Sequence, residues 1–124
     1  MTNNGIILLN KSQSVQRQRF TVMHELGHYL LGHVGSDPRF RDSSRTAEEQ
    51  EADRFAVGCL MPACVLWALH ATTAKEIAAL CNVSMQAAEI RSRRMQILLA
   101  RNKFLTHPLE RQVFEQFQQF INNQ

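Results

Sequence analysis

The sequence predicts an α+β fold that is predominantly helical, with one short β element at its N-terminus. Three observations carry this expectation. The run Gly5-Ile6-Ile7-Leu8-Leu9 is short, apolar and β-prone, and it ends in the turn formers Asn10-Lys11-Ser12. The longer apolar patterns that follow have helical spacing. Glycine, proline and capping residues then divide that helical stretch into pieces of ordinary helix length.

The first helix is expected from about Ser14. Phe20, Val22, Met23, Leu26, Leu30 and Leu31 leave it little polar face, so it should be largely buried, and Gly32 is its stop signal. Gly35, Ser36, Asp37, Pro38, Ser43 and Ser44 predict a loop over residues 33–45. A second helix starts near Thr46, runs through Ala52, Phe55, Ala56 and Cys59, and stops at Met61-Pro62, because proline disfavours helix in the residue before it. Thr73-Ala74-Lys75-Glu76 has capping-box spacing and opens a short helix. Asn82-Val83-Ser84 interrupts it, and Ser84 caps a longer helix through Ile90, Met95, Ile97 and Leu98. Past Thr106-His107-Pro108, one last amphipathic helix aligns Leu109, Val113, Phe114, Phe117, Phe120 and Ile121. These elements predict a single domain over 1–124, with a core at 1–68 and a helical part at 69–124.

Several function classes are set aside by composition. An apolar fraction of 44% suits a protein with a buried core. No apolar run approaches the roughly 20 residues that cross a bilayer. Gly5–Leu9 is too short for a leader, so a cytoplasmic protein without a membrane partner is expected. Cys59, Cys64 and Cys81 are an odd count without a CxxC pair and predict free thiols. The net charge of +3 and pI of about 9.1 are mildly basic, with much of the excess in Lys11–Arg19 and Arg91–Lys103. Solvated helix surfaces account for such stretches, although a basic face can also meet an acidic partner.

The chemistry concentrates in His24-Glu25-Leu26-Gly27-His28. Two histidines four apart share a helix face and can grip one zinc ion, and Glu25 between them projects beside the metal as a general base. A catalytic zinc takes three protein ligands. His33 does not stand at the spacing of a third histidine that follows the motif directly. The acidic stretch Glu48-Glu49-Gln50-Glu51-Ala52-Asp53 is the alternative source. Glu49 lies four residues before Asp53, so one helix face would present Glu49 to the metal and Asp53 to the outer nitrogen of a histidine. Glu51 points roughly opposite, and Glu48 lacks a matching acidic partner; both stay open as ligands. Thr46 to Glu49 also fits a capping box, in which Glu49 would only secure the helix start.

At these residues the chain resembles the ImmA/IrrE family of metallopeptidases. The resemblance runs from Arg17 through the motif to His33, resumes over Glu49–Ala56 and at Leu60-Met61-Pro62, and continues more loosely at Ile77-Ala78, Val83-Ser84, Ala87 and Arg91. It implies a small zincin-like, gluzincin-type core with one zinc ion per chain, ligands His24, His28 and the first glutamate of E-x-x-A-D (here Glu49), and Glu25 as base. It also implies a substrate, since members often stand beside helix-turn-helix repressors in mobile elements or stress loci and relieve repression by cleaving them. Two features depart from the family pattern. Met23 stands where alanine often precedes the first histidine, and the sensor extension of larger members is missing or reduced to the C-terminal helices.

The expected function is therefore zinc-dependent endopeptidase, acting on a helix-turn-helix repressor. Tyr29, His70 and His107 are candidates for stabilising an oxyanion. A rival reading is a DNA-binding or repressor-binding regulator. Residues 75–94 resemble a helix-turn-helix, with Arg91, Arg93 and Arg94 on the second helix. Ala87, Ala88 and Glu89 make a poor base-reading surface there, so specific DNA binding is not expected.

Overall fold

The computed structural model describes residues 5–33 and 46–124. It is mostly helical, with seven helices and no strand among those residues. The N-terminal β element expected at 5–9 is not formed. A strand is held by a neighbouring strand's ladder of hydrogen bonds, and no strand stands among the described residues; Ile6 and Leu8 lie in an irregular stretch with at least half their surface exposed. The turn that follows is as expected: Asn10 Oδ1 accepts from Ser12 N at 3.0 Å, and Asn10 O accepts from Gln13 N at 3.1 Å. The loop expected over 33–45 falls, from residue 34 onward, outside the described residues, as does the Thr46 side chain of the suggested capping box.

The chain divides into two compact units, residues 1–60 and 61–124. In the first, α1 (Val15–Leu30) packs on α2 (Thr46–Leu60). Ser14 caps α1 by accepting from Arg17 N at 3.2 Å. The helices approach through small residues: Gly27 is buried on α1, Ala52 and Ala56 on α2. A Cβ at Gly27 would meet Phe55 Cδ1 at 3.0 Å and Phe55 Cβ at 3.2 Å, so a side chain there requires Phe55 to give way by a few tenths of an ångström. The expectation that α1 is largely buried is corrected. Only Gly27 and His28 are buried on it, and Tyr29, Leu30 and Leu31 are exposed at its end. One packed neighbour covers one face of a helix, however apolar the rest of its surface.

The end of α1 places a site residue. Gly32 takes the left-handed conformation, φ +72°, which lacks steric cost only for glycine. Gly32 N donates to Tyr29 O, and His33 N donates to His28 O at 3.0 Å. This is the paired bonding of a Schellman turn. It returns the chain over the last turn of the helix and lays His33 beside His28.

In the second unit, α3 (Ala63–Ala68) follows Pro62 directly, α4 (Ala74–Cys81) packs on α5 (Met85–Arg101), and α3 packs on α6 (Pro108–Gln116), which leads into α7 (Gln118–Asn122). The α3 helix was not expected from the sequence. The single last helix is two pieces, separated at Phe117. Thr73 and Ser84 cap α4 and α5 as expected, accepting from Glu76 N and Ala87 N. Met61, Leu66, Ile77 and Met95 are fully buried. Trp67 stacks on Phe104 with ring centroids 5.0 Å apart. Among the described residues no helix is long and apolar enough to cross a membrane.

Candidate metal centre

Histidines four apart on α1 present their rings on one face, and α2 supplies the acids that meet them. His24 Nε2 lies 3.1 Å from His28 Nε2 and 2.9 Å from Glu49 Oε2, and His28 Nε2 lies 3.3 Å from Glu49 Oε1. One ligand atom from each of His24, His28 and Glu49 falls within 4.8 Å of the others, a group that could hold a metal ion.

The hydrogen-bonding chemistry of this donor set fits a cation. His24 Nδ1 is 2.7 Å from Asp53 Oδ1. A neutral imidazole carries one hydrogen and here faces an accepting carboxylate at each nitrogen, Asp53 at Nδ1 and Glu49 at Nε2; with a cation among the inner donors, that hydrogen belongs on Nδ1. His24 Nε2 then directs a lone pair at Glu49 and at His28. Three electron-rich atoms facing one another are stabilised by a positive charge placed among them. His28 is 1% exposed on its side chain, and burial pushes its imidazole below the ordinary histidine pKa, against the opposing charge of Glu49. A neutral ring is the form that donates a lone pair to a metal.

The sequence-predicted residues sort plainly. His24, His28, Glu49 and Asp53 are brought together, the last two from one face of α2. Glu25 is half-buried on α1, and its charge is felt at His28. Glu48 is half-buried on α2 and outside the converging donors. Glu51, expected to point away, also stands outside that group, yet its Oε2 reaches to 3.3 Å from His33 Nε2. His33 in turn lies with Nδ1 2.7 Å from His28 Nδ1. Helical spacing alone did not reveal this pair; the Gly32 stop signal immediately before His33 was the available clue. Of the oxyanion candidates, Tyr29 is exposed on α1. His70 and His107 belong to the second unit. His70 takes the left-handed position after α3, and His107 caps α6 by accepting from Leu109 N.

Residues 1–93 match the family model of the peptidase M78 family, described as the IrrE N-terminal-like domain. No curated protein and no solved structure matches the chain. The family match spans both helices that carry the converging donors and extends into α5; the chain belongs to the M78 peptidase family of IrrE N-terminal-like domains.

Proposed function

We propose that the chain is a zinc-dependent endopeptidase that cleaves a helix-turn-helix repressor. On this reading His24, His28 and Glu49 hold one zinc ion, Glu25 is the general base, and Asp53 orients His24. The observation that carries it is the His24 ring, tied through Nδ1 to Asp53 while Nε2 faces Glu49 and His28. When bound, zinc supplies Lewis acidity, lowering the pKa of water and polarising the scissile carbonyl. Glu25, beside the donor set, takes the proton of the attacking water and returns it to the leaving amine. Asp53 holds the His24 tautomer with its lone pair inward. The repressor as substrate rests on the family resemblance alone.

The regulator reading has a structural basis in α4, the Asn82–Ser84 turn and α5. Its arginines are unevenly placed for DNA. Arg93 and Arg94 are exposed, whereas Arg91 donates through Nε and Nη2 to Met61 O at 3.0 and 2.8 Å. One of the three cations that reading needs is committed inward.

Zinc titration of the purified chain tests the proposal, with uptake of about one ion per chain expected. Glu25→Gln should keep that zinc and lose about 10²–10⁴-fold in hydrolysis of the repressor. A chain that takes up no zinc overturns the metallopeptidase reading. A Glu25→Gln variant that cleaves at the wild-type rate removes Glu25 from its role.

A further inference from the structure

The two histidines of the motif need the same service, a partner for the outer ring nitrogen, and only His24 receives it directly from a carboxylate. His28 receives it from another imidazole. His28 Nδ1 and His33 Nδ1 are 2.7 Å apart, with ring centroids 5.0 Å apart at 66°. His33 Nε2 is 3.3 Å from Glu51 Oε2. The His33 side chain is nearly as buried as that of His28, at 6% against 1%, while Glu51 is 47% exposed.

We propose that His33, anchored by Glu51, is a positioning residue that fixes the tautomer of His28 and turns its Nε2 lone pair toward the donor cluster. This rests on the reading of His28 as a metal ligand. The proton inventory supports it. Two neutral imidazoles meeting Nδ1 to Nδ1 share one hydrogen, which sits either on His28 or on His33. If it sits on His33, His28 carries its own hydrogen on Nε2 and has no lone pair for a metal. Glu49 Oε1 and His24 Nε2, 3.3 and 3.1 Å from His28 Nε2, would accept that hydrogen, and Glu51 acts against them. Its carboxylate only accepts, so it favours the hydrogen of His33 on Nε2. His33 Nδ1 is then the acceptor, and His28 must donate from Nδ1. The chain of bonds runs one way, from His28 through His33 to Glu51.

The backbone builds this arrangement cheaply. The Schellman turn at Gly32 ties His33 N to His28 O, so the same two residues are joined through main chain and side chain. Asp53 serves His24 and Glu51 serves His28, both from α2 and two residues apart. Glu49, from the same helix, meets both motif histidines.

The test separates this inference from the metal reading beneath it. Long-range ¹H–¹⁵N correlation spectra of the metal-free, ¹⁵N-labelled chain report which nitrogen of each histidine bears the hydrogen. The wild-type chain should show His28 protonated on Nδ1 and His33 on Nε2. His33→Leu removes the acceptor and should bring up the Nε2–H form of His28. His33→Gln keeps an amide oxygen as acceptor and should restore the wild-type tautomer. Zinc affinity, read by competition with a chromogenic chelator, should fall about 10- to 100-fold in His33→Leu. It should fall less in Glu51→Ala and recover in His33→Gln. Thermal melts accompany each variant. Should His33→Leu lose its fold, Glu51→Ala, altered at a half-exposed side chain, still reads the tautomers. Wild-type tautomers and affinity in both His33→Leu and Glu51→Ala overturn the proposal. A change in His33→Leu with none in Glu51→Ala overturns the part given to the carboxylate. A wild-type chain that binds no zinc sinks the metal reading, and the metal-free spectra still decide whether His33 sets the His28 tautomer.

Discussion

His24 is bracketed by two carboxylates, and on the proposed reading their substitutions should differ in size. Glu49 faces the nitrogens that converge, while Asp53 sits behind the ring and is 55% exposed. Asp53→Asn keeps an oxygen for the His24 N–H and loses only charge, so zinc affinity should drop by about 10- to 100-fold at most. Glu49→Ala removes one of three protein donors and should cost more, with little change in the melting temperature of the metal-free chain. Chelator competition on both variants measures this, and a larger loss in Asp53→Asn would exchange the two roles. Much of this site was legible in the sequence. Two histidines at i and i+4, and acids at i and i+4 on a second helix, place four side chains by periodicity alone. The pairing of His33 with Glu51 was not, because it depends on a backbone reversal at Gly32 that brings a residue beyond the helix back onto it. Helical spacing describes neighbours within an element and is silent about a turn that folds across its end.

At the level of elements, the contact between α1 and α2 determines whether ligands from two helices can meet. Gly27 lies three residues beyond His24 and one before His28, against Phe55. In Gly27→Ala the added methyl would stand 3.0 to 3.2 Å from Phe55, including its Cβ, which moves only with the backbone. Overpacking of this kind costs about 1–3 kcal/mol. For a unit of this size each kcal/mol corresponds to roughly 4–8 °C in melting temperature. The variant should melt lower and bind zinc more weakly, because spreading the helices moves Glu49 from the histidines. Unchanged melting and affinity would mean the helices separate without consequence. Element by element, the expected helices follow their signals: the helix start near Ser14, the Thr73 and Ser84 caps and the Met61-Pro62 stop sit where expected. The misses have physical causes. Residues 5–9 have strand composition, and no strand stands among the described residues. The Ala63–Ala68 helix is too short to show a period. The apolar stripe from Leu109 to Ile121 continues across Phe117 even though the backbone does not.

Over the whole chain, a net charge of +3 invites the question of nucleic acid. Arg91 is half-buried against Met61 O, and Ala88 is fully buried, so α5 spends part of the surface a DNA reader would need on its own packing. DNA binding should be weak, steeply dependent on salt and indifferent to sequence. A gel shift at physiological salt showing tight, selective retention would favour the regulator instead. Within the first unit, the proposed ligands come from both of its described helices, two from α1 and one from α2. Fifteen residues of chain, 31–45, separate those helices. A metal held this way crosslinks the unit, and its supply becomes a term in the folding equilibrium. An ion present at 1,000 times its dissociation constant adds about 4 kcal/mol to the folded state, against a total of roughly 5–15 kcal/mol for a typical domain. Helical circular dichroism should therefore melt at a temperature that rises with free zinc and falls in chelator, while a His24→Ala, His28→Ala double variant should be insensitive to both. A wild-type melt equally insensitive would show that the ion joins nothing the fold depends on. A cell that starves this chain of zinc would then do more than silence it: the helix pair would open to proteolysis, and the amount of the protein would track the metal.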